Sequence, residues 1–271
     1  MTGQSDNSLP NLLVIGAQKA GSTWLHERLD CHPDIFMSQP KELRFFGHRD
    51  KTDSPAGLAA YRQHFSAGAN TRYRGESTPA YFWSHDPDSH FAVDLQRSNL
   101  DIPAAVHRLL QPDIPLVLSL RNPTSRAISA FYHHYKAGDI QCDDTIRTTG
   151  HRFGIVDMGF YRRHIESWLR FFNREQLHIV LFDDIVENPA GVVEELYRFL
   201  ELRADISDPL LGQKSNQGIQ LDPGTGPRIQ IEDIEFLANL YQGDIDYLET
   251  LLERSLTQWR SKRLQDYISH T

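Results

Sequence analysis

The chain has 271 residues, 39% of them apolar, and a formal net charge of −8. That length suits one large domain or two small ones, and the apolar share is enough for a sizeable core. The acidic balance argues against an extended nucleic-acid footprint, and no apolar run approaches the roughly 20 residues of a bilayer span. Residues 1–10 are polar and nearly uncharged, with the features of neither a secretory signal nor a transit peptide. They read as a disordered tail before a single domain over 11–271. Cys31 and Cys142 read as two free thiols of a reducing cytoplasm rather than a disulfide.

In chain order, Leu12–Gly16 is a short apolar run ending in glycine and predicts a strand. Ser22–Asp30 follows with Trp24, Leu25 and Leu29 at helical spacing. Pro115–Leu120 predicts a second buried strand. Arg121-Asn-Pro then leads into a helix over Thr124–Lys136, where Pro123 near the start costs no hydrogen bond. The stretch 139–157 reads as irregular. Gly159–Phe172 is an amphipathic helix with Tyr161, Ile165, Trp168 and Leu169 on its apolar side. Leu177–Phe182 predicts a third strand, and Asn188-Pro189 opens a helix through Leu200. A loop with four glycines and two prolines covers 211–228, and Glu232–Ser269 reads as a C-terminal helix. Continuous apolar strands alternating with helices predict an α/β fold, a parallel central sheet flanked by helices on both faces. Ligands of such sheets gather at the carboxyl ends of strands, which singles out the loops after Ile15, Leu120 and Phe182.

The first of these loops, in LVIGAQKAGSTWL (13–25), has the glycine spacing of a phosphate-binding loop. Its lysine is displaced. The nucleotide-triphosphatase pattern places Lys directly after the second glycine, but here Ser22 follows Gly21 and the lysine is Lys19, inside the loop. Close backbone approach and the amides opening the next helix suit the loop to a phosphate. Two other readings stand beside this one. One is a ligand-free turn. The other is a P-loop kinase or NTPase using Mg-ATP, supported by IVLFDD (179–184), which resembles a strand delivering a metal-binding aspartate.

GAQKAGST, followed by HPDIFMSQPKELRFF, resembles the opening of sulfotransferases that use 3′-phosphoadenosine 5′-phosphosulfate (PAPS), in their heparan-type and bacterial branch. RGESTPAYF (74–82), LSLRNPTSRAISAFYHH (118–134), GFYRRHIESWLRFF (159–172) and LFDDIVENP (181–189) follow in that family's order. The resemblance runs from about residue 12 to 201, with a weaker continuation through Lys214. It implies the P-loop-like sulfotransferase fold and transfer of a sulfuryl group from PAPS, leaving 3′,5′-diphosphoadenosine (PAP), without a metal.

Residue by residue, the resemblance puts Lys19 on the oxygen that bridges phosphorus and sulfur, where charge grows as the bond breaks. Ala20, Gly21, Ser22, Thr23 and Trp24 join Lys19 around the 5′-phosphate, and Arg121 and Ser129 take the 3′-phosphate. Arg126 lies at helical offset from Ser129 and reads either as a neighbour of that site or as a structural residue. Lys214, Ser215 and Asn216 resemble a loop closing over the nucleotide, here without the cysteines that often brace it. Glu42 matches the family's base, and it equally suits a surface ion pair between Lys41 and Arg44. Lys41, Glu76 and His48 are candidates for the acceptor side. His48, His85, His90, His133 and His134 are alternative bases, and HDPDSH (85–90) reads as a turn rather than a metal site. Ser77 stands where many heparan-type relatives carry Lys, which removes a cation. The implied acceptor is a small molecule, lipid or glycan bearing a hydroxyl or amine, in a bacterial cytoplasm, and the resemblance also admits a homodimer.

Overall fold

The computed structural model describes residues 9–84, 101–204, 227–263 and 267. Residues 1–8 of the predicted tail, the loop bearing Lys214, Ser215 and Asn216, and His85 and His90 fall outside them, while Pro10 is already buried and the Leu9 carbonyl accepts from Arg74 Nε at 3.3 Å. Two compact units are each built from discontinuous stretches of chain. The first is drawn from Met1–Phe82, Leu100–Leu120 and Ser167–Ser215, and the second from Trp83–Asn99, Arg121–Glu166 and Asn216–Thr271.

The first unit holds a parallel sheet of β1 (Leu12–Gly16), β2 (Ile35–Met37), β3 (Tyr73–Ser77), β4 (Leu116–Leu120) and β5 (Leu177–Leu181), in the order β2-β3-β1-β4-β5. Every residue of β1 and β4 is buried, as expected of central strands covered on both faces. Register places Leu13 beside Glu76 and Val14 beside both Ser77 and Val117. On one face Leu12, Val14 and Val117 meet Trp24, Leu25 and Leu29 of the helix Ser22–Asp30 and Val193, Leu196 and Tyr197 of the helix Pro189–Phe199. Asn188 caps the latter helix by accepting from the Gly191 amide at 3.1 Å, as Asn-Pro at a helix start leads one to expect.

β2 and β3 are additions to the predicted strands. β3 reads YRGES, and Arg74, Glu76 and Ser77 are buried polar residues, so no apolar run announces it. At the other edge, β5 stops at Leu181 and a helix, Phe182–Glu187, begins at once.

In the second unit the helix Pro123–Lys136 is capped by Asn122, whose Oδ1 accepts from the Thr124 and Ser125 amides at 2.9 and 3.2 Å. Ala127, Ile128 and Phe131 pack with Ile155, Val156, Ile234, Leu237 and Tyr241. The region predicted to be irregular contains a single helical turn, Ile146–Thr149, closed by a Thr145–Thr148 capping box. The predicted long C-terminal helix is in fact two, Ile231–Leu240 and Gln242–Leu252. Tyr241 between them is fully buried and donates its hydroxyl to the Val156 carbonyl at 2.6 Å, a tie that a continuous surface helix would not make. Glu253, with φ 51°, ends the second. Cys31 and Cys142 are both free thiols.

Gly16, the last residue of β1, lies against Phe82: a Cβ there would overlap Phe82 Cβ and come within 3.2 Å of the Pro79 carbonyl. Gly16→Ala is therefore expected to destabilise the protein by about 1–3 kcal/mol through overpacking. Urea unfolding measures this, and an unchanged midpoint would contradict the close approach.

Candidate active site

Two groups of candidate residues in the first unit gather beyond strands, one after β1 and one beside the end of β3. Beyond β1, the Ala17 amide donates to the Ser119 carbonyl at 2.7 Å and the Ser119 hydroxyl to the Gly16 carbonyl at 3.1 Å, so β4 holds the loop's entry. Lys19 sits in the left-handed region with φ 67°, and Gly21 with φ 97°. For a lysine that conformation costs about 1–3 kcal/mol and is characteristic of functional loops. Gly21 is also the N-cap of the helix Ser22–Asp30, and no side chain caps that helix, so side chains leave its opening amides to a ligand. A Cβ at Gly21 would approach Ile185 Cδ1 at 3.0 Å and Phe182 Cδ2 at 3.2 Å, so the loop is pressed onto the helix after β5. Ser22 is buried and Thr23 half-buried. Ala20 is buried as well, and the Trp24 ring lies in the core with the Arg28 guanidinium 5.7 Å from its centroid. Trp24 thus has only its main chain to offer a phosphate.

At the end of β3 stands a second group. The Glu42 carboxylate lies 3.4 Å from Lys41 Nζ and accepts from Arg44 Nη2 at 3.1 Å. The ion pair that the sequence allowed is therefore formed. Burial pushes the Lys41 pKa down, and the neighbouring Glu42 charge partly restores it. Arg44 is left-handed, with φ 54°. Glu76 is fully buried and accepts from Tyr61 Oη at 2.6 Å, Thr78 Oγ1 at 2.7 Å, Tyr81 Oη at 2.9 Å and the Leu43 amide at 3.3 Å. Burial raises its pKa against the pull of those donors, and burial holds both tyrosines far above their usual range, as protonated donors. Glu76 is thus an interior carboxylate rather than an exposed acceptor ligand. His48 is exposed at the start of the turn Arg49–Thr52, where its carbonyl accepts from the Thr52 amide at 3.0 Å.

One residue of this group is absent from the sequence reading. His26 is buried, its Nδ1 lies 3.0 Å from Ser77 Oγ, and its Nε2 has no hydrogen-bond partner among the described residues. Burial first, and then the Lys41 charge, lower its pKa to about 4. No motif marks it, since a histidine within a helical pattern signals nothing by itself.

In the second unit Arg121 follows β4, and its carbonyl accepts from Tyr161 Oη at 2.7 Å. Ser129 is half-buried on the helix Pro123–Lys136. Arg126 is fully buried with its guanidinium on the carbonyls of Ile155 and Gly154, which is the structural option. His133 and His134 close that helix, and His134 Nδ1 lies 2.9 Å from the Asp139 carboxylate.

The aspartates of IVLFDD occupy the first turn of the helix Phe182–Glu187, beyond the edge strand β5, and β4 intervenes between β5 and β1. The motif's aspartates therefore stand on a helix rather than at a strand end, and that helix meets the loop through Phe182 and Ile185.

A parallel sheet whose first strand ends in a glycine-bounded loop opening a helix, with a lysine inside that loop, defines an α/β protein of the P-loop-like class. The sulfotransferase domain model matches residues 9–215, and the chain belongs to that family. It is similar to human heparan sulfate glucosamine 3-O-sulfotransferase 3B1, at 27% identity over 216 residues, 76% of this chain and 50% of that one. It is also similar to mouse heparan sulfate glucosamine 3-O-sulfotransferase 5, at 26% identity over 210 residues, 73% of this chain and 55% of that one. The chain thus spans about half the length of the curated relatives it matches. In fold it is similar to a sulfotransferase from Alicyclobacillus acidocaldarius, with TM-score 0.70 and 23% identity over 93% of this chain and 99% of that one. A mouse sulfotransferase complexed with PAP shares the fold at TM-score 0.53 and 14% identity, covering 92% of this chain and 90% of that one.

His26 is expected to titrate near 4 by NMR, and Lys41→Met to raise that value by removing the repelling charge. Because the unfolded ring protonates near its ordinary 6.5, His26 lowers stability as pH falls from about 6.5 to about 4. His26→Asn should remove that share of the decline in urea unfolding.

Proposed function

We propose that this chain moves the sulfuryl group of PAPS to an acceptor hydroxyl or amine by in-line displacement. The observation that carries the reading is Lys19, inside the phosphate-type loop and left-handed, instead of following the second glycine. Family membership supports it, as does the helix opening at Gly21 that no side chain caps, which fits a single phosphate. When bound, PAPS supplies a sulfuryl group whose bond to the 5′-phosphate oxygen is the one broken.

Lys19 stabilises the negative charge on that departing oxygen, and the amides and hydroxyls of Ser22 and Thr23 hold the 5′-phosphate. Arg121 and Ser129 bind the 3′-phosphate, the group that separates PAPS from ordinary adenine nucleotides. Arg supplies a planar fork of donors for it. Glu42 receives the acceptor proton as the new sulfur–oxygen or sulfur–nitrogen bond forms. Lys41, beside Glu42, orients the sulfuryl oxygens. The relatives named for heparan sulfate glucosamine support a glycan acceptor. Ser77, neutral and held by a neutral His26, supports a weakly charged one, whether glycan, lipid or small molecule.

Calorimetry with PAP and with ATP, with and without Mg²⁺, tests the nucleotide. Metal-independent binding of PAP is expected, and a preference for Mg-ATP overturns the proposal. Lys19→Ala should lower turnover of labelled PAPS at least about a hundredfold, the scale of one preorganised donor. Glu42→Gln should lower kcat by roughly 10²–10⁴ with PAP affinity little changed.

Arg121→Ala should weaken PAP binding by about 1.5–3 kcal/mol, the worth of a charged hydrogen bond. Binding of 5′-AMP, which lacks the 3′-phosphate, should not change. Equal losses for both nucleotides would remove Arg121 from the 3′ site.

A further inference from the structure

Glu42 belongs to a segment with no regular structure of its own between Met37 and Phe45, yet a proton acceptor has to be held to within a fraction of an ångström. Both peptide groups flanking its Cα are tied to the end of β3. On one side the Lys41 carbonyl accepts from the Ser77 amide at 3.1 Å. On the other, the Leu43 amide donates to Glu76 Oε2 at 3.3 Å. One residue further, the Arg44 amide donates to Thr78 Oγ1 at 3.2 Å, and the same hydroxyl donates to Glu76 Oε2 at 2.7 Å. Directly after these two amides the left-handed backbone of Arg44 turns the chain into the helical turn Phe45–Gly47. Glu76 Oε1 is meanwhile held by the hydroxyls of Tyr61 and Tyr81, and Tyr81 Oη accepts from the Phe46 amide at 3.3 Å.

From this arrangement we infer that Glu76 and Thr78 are positioning residues for Glu42: a buried carboxylate and the hydroxyl bonded to it fix the backbone on the C-terminal side of the base and so aim its side chain. The inference rests on the proposed role of Glu42 as base. All four groups on Glu76 are donors, so its two oxygens act purely as acceptors, and an amide in its place would turn an N–H toward at least one of them. The Leu43 amide is the longest of the four contacts and the one most readily lost.

The test is a double-mutant cycle on kcat, with PAP affinity measured for every variant. Glu76→Gln and Thr78→Val should each lower kcat roughly ten- to a hundredfold, the scale on which misplacing a reacting group is felt, with PAP affinity held within about twofold. Thr78→Ser, which keeps the hydroxyl, should restore most of the rate. In a Glu42→Gln background, adding Thr78→Val should change kcat by less than about twofold, since residues acting through one another are non-additive. Thr78→Val keeps the shape of the side chain, so it and Thr78→Ser carry the test if Glu76→Gln does not fold. Losses that multiply in the Glu42→Gln background overturn the inference, as does an equal fall in PAP affinity. If Glu42→Gln alone leaves kcat intact, the base assignment itself fails, and the single variant shows that separately.

Discussion

A carboxylate in a protein interior has to be surrounded by donors or neutralised, because removing it from water costs several kcal/mol. Glu76 is buried completely, and its hydrogen bonds come from two tyrosines, a threonine and a main-chain amide. Those donors lie on the helix Pro55–Gln63, the turn Pro79–Tyr81, the end of β3 and the segment of Lys41–Arg44. One polar requirement thus gathers four pieces of chain at one strand end. Apolar contacts complete the shelf: Tyr61 stacks on Phe45 at 4.0 Å between centroids, and Phe46 meets both Tyr61 and Tyr81 edge-on. The aromatic contacts fill the space, and the carboxylate sets the orientation, since hydrogen bonds are directional and apolar contacts are not.

The phosphate-type loop is shaped by a different constraint, steric rather than polar. Gly16 has no room for a side chain against Phe82, and Gly21 combines a left-handed backbone, φ 97°, with close contacts to Phe182 and Ile185. Between them Lys19 is left in a backbone conformation that a lysine adopts at a cost. That places the lysine inside the turn instead of at its exit. The second unit applies the same economy to its helix starts: Asn122 caps one end and also donates to the Trp259 carbonyl at 3.1 Å.

The legibility of the fold followed the chemistry of its strands. β1, β4 and β5 are runs of aliphatic residues, and such runs are visible without a structure. β3 was invisible because its polar residues are buried for reasons of hydrogen bonding, and β2 because three residues make no pattern. The C-terminal helix was overextended because periodicity continues through Tyr241, whose hydroxyl is committed to a carbonyl 85 residues away in sequence. In the site, Lys19 and Glu42 stood out through spacing and resemblance, while His26 did not, since its partner Ser77 is 51 residues distant.

By itself, then, the sequence determined the class of the fold, the place of the glycine-bounded loop after β1, and the family, all of which are written in short contiguous stretches. Only the tertiary structure decided that Glu76 is an internal acceptor, that Glu42 is paired with Lys41 and Arg44, that Arg126 is buried on main-chain carbonyls, and that a neutral histidine stands beside Ser77. The division has a physical cause. Local periodicity and backbone freedom are properties of neighbours in the chain, whereas the state of a buried polar group is set by whichever donors the fold brings to it.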